Sequence, residues 1–162
     1  MVKMRRASAP ALFLALLAIS PCAAAPSSAQ STPSVPFATI AAGAESRVRQ
    51  PGEFVIRSRA AWQSLWRRHS GTNSAPRADF ARDIVIAVFA GEFTEPAMIA
   101  ITRIIREPHR LIVLYGVSPT RPPLDGPGML LIAPFHIVRM VHSALPVVFF
   151  RVKTPPVLTP QR

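Results

Sequence analysis

Ile84-Val85-Ile86-Ala87-Val88-Phe89-Ala90 is the stretch on which the fold turns. Its apolar residues are consecutive and of high β propensity, and Gly91 ends them, which is the pattern of a central strand covered on both faces. Upstream, Asp79-Phe80 leads into it from a polar loop over 70–78 that contains Pro76. Before that loop, Trp62, Leu65, Trp66 and His69 recur at i, i+3, i+4 and i+7, so the spacing predicts a helix with both tryptophans on one face. Ser58 suits its N-cap and Gly71 its stop. Arg59, Gln63, Arg67 and Ser70 fall largely on the other side, as in an amphipathic helix laid on a sheet. Trp62 and Trp66 are expected to pack against central-strand residues such as Val85 or Ile86. Further back, Phe54 to Arg57 reads as a short strand and Phe37 to Ala42 as an edge strand, before the turn signals Gly43 and Pro51-Gly52.

Downstream, strands are expected at Ala97 to Ile105 and Arg110 to Val117, with Glu107-Pro108-His109 as the hairpin connection. Ser118 to Pro127 carries four prolines, which excludes an interior strand and predicts a surface loop at a mobile functional edge. Phe135 to Val141 and Val147 to Val152 are the last two strands, separated by a turn around Ser143 to Pro146, and a Pro-rich tail occupies 154–162. The expected fold class is α+β: a mainly antiparallel sheet of about five or six strands with one amphipathic helix packed on it. It forms a single domain over 37–153.

Residues 1–29 read as a secretory signal peptide. Met1 to Arg6 is basic, Ala9 to Ile19 is almost uninterruptedly apolar, and Pro21 to Ala29 is a run of small residues. The apolar run is too short for a transmembrane helix, which needs roughly 20 residues. Cleavage fits after Ala24 or Ala29, and residues 30–36 form a Ser/Pro-rich tether. Cys22 is the sole cysteine; lipid anchoring through it is the minor alternative, because Pro21 stands where lipoprotein signals have a small residue. The expected location is periplasmic or extracellular. The chain has 19 Lys+Arg against 8 Asp+Glu, a net charge of +11, and +8 once Lys3, Arg5 and Arg6 leave with the signal. Such a balance favours anionic partners.

Four histidines raise acid/base or metal chemistry, but none has diagnostic spacing. His136 and His142 fall on one strand face without a local carboxylate or third histidine, and neither is expected beside a carboxylate or hydroxyl in a concave pocket. His69 sits where a cationic imidazole would meet a helix C-terminus, and capping or packing is its expected role. His109 is an exposed hairpin residue, and Asp79 a turn or capping carboxylate. No Gly-x-Ser-x-Gly elbow is present, and Gly126-Pro127-Gly128 lacks the context of a phosphate loop. No catalytic, cofactor-binding or metal-ligating residue is assigned.

The order of motifs resembles the C-terminal domain of the PrcB family, named for a protease-complex subunit. The residues that carry it are Val55-Ile56-Arg57-Ser58, Trp62/Leu65-Trp66, Asp79-Phe80, Val85 to Gly91, Ile99 and Ile101, Ala133 to Val138, and Leu145 to Phe149, over about 54 to 150. Where that family has a Gly-Gly-Tyr-like turn after the central strand, Glu95-Pro96-Ala97-Met98 stands here. The resemblance implies an exported, non-peptidase accessory domain associated with a protease complex, and the leading expectation is a non-catalytic module that binds a protein partner, a protease or another envelope component. A partner segment would add to an exposed strand edge, with the Pro-rich loop gating access. A second expectation, of another class, is electrostatic attachment to an anionic envelope polymer or membrane surface. Nucleic acid is a poor third.

Overall fold

The computed structural model describes residues 34–120 and 131–153, all within one compact unit, Ser31–Arg162. The signal segment, the first residues of the tether, Gly126-Pro127-Gly128 and the Pro-rich tail lie outside the described residues. Seven strands and one helix follow in the order β1 (Phe37–Gly43), β2 (Gly52–Ile56), α1 (Arg59–Ser70), β3 (Asp83–Phe89), β4 (Ala97–Arg106), β5 (Leu111–Pro119), β6 (Phe135–Val141) and β7 (Val147–Arg151).

The α+β class stands, but the single sheet does not. The strands divide into a four-stranded antiparallel sheet, β1-β6-β3-β2, and a three-stranded sheet, β4-β5-β7. Within the smaller sheet β5 and β7 run parallel, although no helix lies between them among the described residues. The physical reason lies in the short connections. Ser143 to Pro146 is short enough for a hairpin, but it carries the chain from one sheet to the other, and Leu145 packs on the core between them. Residues 90–96 make the same kind of crossing after β3, helped by Gly91 at φ 84, a left-handed conformation that glycine adopts without penalty.

The two-faced burial of β3 organises the layers. Ile84, Ile86 and Val88 point to the other sheet and pack with Ile99, Ile101, Ile104, Leu111, Val113, Val138 and Met140. Val85, Ala87 and Phe89 point to the helix and pack with Trp62, Leu65, Phe135 and Ile137. Helix, larger sheet and smaller sheet are therefore three layers with β3 in the middle. Of the two contacts expected for the tryptophans, Val85 is on the helix side and Ile86 is on the opposite face.

Local chemistry fixes the helix as its sequence indicates. The Ala61 N–H donates to Ser58 Oγ at 3.3 Å, and Gly71 closes the C-terminus at φ 77, its N–H donating to the Arg67 carbonyl. Trp62 is 2% exposed and its indole N–H donates to the Pro76 carbonyl at 2.8 Å, so even its polar edge is satisfied. The β4–β5 hairpin closes with the Glu107 N–H on the Arg110 carbonyl.

Candidate functional site

The sheets meet along two seams. On one side β1 lies beside β4. Ser34 and Val35, which composition places in the tether, are pinned here: Ser34 bridges Ile105 and the Val35 N–H donates to the Ile104 carbonyl at 2.7 Å. Farther along, β1 and β4 part. Each carries a register shift, β1 between Thr39 and Ala41 and β4 between Ile101 and Arg103, and such bulges leave main-chain groups outside the ladder.

His136 fills the gap between the two bulges. Its Nδ1 accepts the Ile101 N–H at 2.8 Å, so that nitrogen carries no proton in the neutral ring. The proton then sits on Nε2, which lies 2.9 Å from Thr39 Oγ1 and donates to it. Burial lowers its pKa from 6.5 to about 4, which keeps the ring neutral. The sequence gives no expectation of a hydroxyl beside His136 in a concavity, and the structure corrects this: Thr39 is there, and His136 lines a cleft. The pairing is nonetheless that of a buried main-chain acceptor. A ring nitrogen already holding its proton cannot take one from Thr39.

Beyond His136 the seam opens into a cleft of about 340 Å³ lined by Ala42, Gly43, Ala44, Ala97 to Ala100, Thr120 and His136. The Ile101 N–H points off the β4 edge toward β6, and the two-residue repeat of a strand turns the N–H and carbonyl of Ile99 the same way. Both Ile99 groups thus lie off the β4–β5 ladder on the cleft side, and Ile99 is 4% exposed. Across the cleft the Ala44 carbonyl accepts the Ala133 N–H on the β6 side, so by the same alternation Gly43 faces the cleft. Small side chains make the space, and main-chain polar groups face into it.

The other seam, between β2 and β7, is spanned by side chains. The Tyr115 hydroxyl donates to Glu53 Oε1 at 2.6 Å, and Arg57 Nη2 donates to the Leu145 carbonyl at 2.8 Å. Burial and the neighbouring Glu53 carboxylate push the Tyr115 pKa up to about 12.

The remaining expected positions are structural. His69 is buried, with its ring centroid 4.1 Å from that of Phe135 and Nδ1 2.9 Å from Ser46 Oγ. Of the two roles expected of it, capping or packing, it packs, and burial lowers its pKa. Asp79 Oδ1 accepts the Ala81 N–H at 3.1 Å, a turn role. His109 and His142 are exposed. Among the described residues no group of three or more His, Cys, Asp or Glu could hold a metal, and no helix is long and apolar enough to cross a membrane.

Ile99 and Gly43 escaped sequence reasoning because their role lies in main-chain direction, which residue type does not report. The signals that could have found the place were Ala97-Met98, beside Pro96 at the start of β4, and Thr120, within the expected Pro-rich loop; all three residues line the cleft. No protein-family model, curated protein or solved structure matches the chain.

Proposed function

We propose that this chain is an exported, non-catalytic accessory domain that holds a protein partner by taking an extended segment of it into the cleft between β1 and β4. One observation carries the reading: the main-chain N–H and carbonyl of Ile99 turn away from the β5 ladder toward an apolar cleft that Ile99 lines. A buried peptide group without a hydrogen bond costs about 1–3 kcal/mol, and an added strand supplies both its donor and its acceptor. An apolar small molecule of the same volume would leave that cost in place. Ala42, Gly43, Ala44, Ala97 and Ala100 leave room for the backbone of the incoming segment.

The PrcB-like order of motifs and the signal-like residues 1–29 support a partner in the cell envelope, with a protease as the class to test first. The non-catalytic reading is supported by His136, whose two ring nitrogens are both engaged. Ala42 is exposed and stands cross-strand from His136, so Ala42→Phe places a ring in the cleft at little cost to the fold. With the melting temperature unchanged, this variant should lose the partner that the parent chain retains on gentle co-purification from envelope. Retention of the same partner by a folded Ala42→Phe chain would refute the assignment of the site.

A further inference from the structure

We infer that the outer face of the three-stranded sheet rests on an anionic lipid surface, a contact separate from the peptide cleft. Strand alternation decides which residues lie on that face. Leu111, Val113, Val147 and Phe149 point into the core between the sheets, so Ile112, Leu114, Val148 and Phe150 point away from it. Ile104 likewise points inward, which turns Arg103 and Ile105 outward. The registers place these six residues in two cross-strand rows, Ile105-Ile112-Val148 and Arg103-Leu114-Phe150. The helix covers the other sheet, and Phe150 is left 47% exposed.

Charge selects the occupant. Arg103 stands in the outer rows, with Arg110 in the β4–β5 turn and Lys153 just after β7, against Glu107, which is already bound to Arg110 at 2.6 Å; Arg106 and Arg151 alternate to the other side, Arg151 beside Tyr115 and Glu53. Apolar rows beside long cationic side chains suit the boundary of an anionic bilayer, where rings and aliphatic chains enter the acyl region and Arg and Lys reach back to phosphate. Guanidinium groups bind phosphate through two parallel hydrogen bonds, which favours phospholipid headgroups among anions. The face is rigid, since its inward residues belong to the main core.

The test is sedimentation of the Ser31–Arg162 unit with vesicles of phosphatidylcholine alone or mixed with phosphatidylglycerol, at low and high salt. The unit should bind the mixed vesicles and leave pure phosphatidylcholine free, with partial weakening by salt. Phe150→Ser should lower the partition coefficient roughly tenfold, and Arg103→Gln roughly fivefold. Val148→Ser serves as a second apolar variant should Phe150→Ser not fold. Ala42→Phe should bind vesicles like the parent, so loss of the peptide site and loss of the lipid face give different patterns. Equal binding by the parent, Phe150→Ser and Val148→Ser would overturn the inference in favour of diffuse charge. Equal binding to pure phosphatidylcholine, or displacement of the parent and Phe150→Ser alike by poly-glutamate, would also overturn it.

Discussion

The seam between β1 and β4 and the seam between β2 and β7 join the same two sheets by different chemistry. Between β1 and β4 the backbones touch at Ser34 and Ile105, separate at two bulges, and leave a buried N–H that a neutral histidine accepts. Between β2 and β7 the ties are a tyrosine on a carboxylate and an arginine on a carbonyl, at positions that water reaches. A group that water can reach exchanges one hydrogen bond for another at small net cost, whereas the Ile101 N–H has His136 or nothing. The first seam is therefore both the more demanding of its residues and the better place to receive a strand.

The largest loss is expected from Trp62→Ala, which removes a fully buried side chain from the helix side of the four-stranded sheet that both seams share. A loss of about 3–5 kcal/mol is expected in denaturant unfolding, while Arg67→Ala, on the exposed side of the helix, should change stability by less than about 0.5 kcal/mol. If Trp62→Ala kept the parent's stability, the three-layer account of the core would fall.

Acid should separate the seams. The His136 pKa is about 4 in the fold against an ordinary 6.5, so the unfolded chain binds the extra proton between these values. The stabilisation is complete above pH 6.5 and disappears as the pH falls toward 4, about 3 kcal/mol at 1.36 kcal/mol per pH unit. His69, lowered in the same direction, adds to the slope. Denaturation midpoints at pH 7 and pH 4.5 measure it, and His136→Phe should flatten the dependence while leaving the part that belongs to His69. An unchanged slope in that variant would mean that His136 is not buried neutral.

At pH 7, His136→Phe should itself cost about 1–3 kcal/mol, because the Ile101 N–H loses its acceptor. The matching change at the other seam, Tyr115→Phe, should cost less than about 1 kcal/mol, since Glu53 is exposed and can turn to water. Comparable losses from the two variants would erase the distinction between the seams.

Much of the fold was legible from local pattern. The continuous apolar run gave a strand buried on both faces, and Ser58, Gly71 and the tryptophan spacing bounded the helix to within a residue. Phe135 to Val141 is a strand over its full expected length. The division into two sheets was not legible, because residues 143–146 serve equally well as a hairpin turn or as a crossing between layers, and Leu145 decides the matter only once a second sheet exists for it to pack on. The candidate site was less visible still. His136 carries no diagnostic spacing in the sequence, and the bulge that supplies its N–H partner follows from how β4 bends. The cleft is lined by alanines whose significance is the volume they leave empty.

Amide hydrogen exchange at Ile99 tests the central claim most directly. Peptides selected from a random library against the Ser31–Arg162 unit would be added at saturation, and exchange rates compared with those of the free protein by NMR. The account predicts at least about tenfold slower exchange at Ile99 and Gly43, with Val148 and Phe150 unchanged. Protection confined to β2 or β7, with Ile99 exchanging as fast as in the free protein, would contradict it.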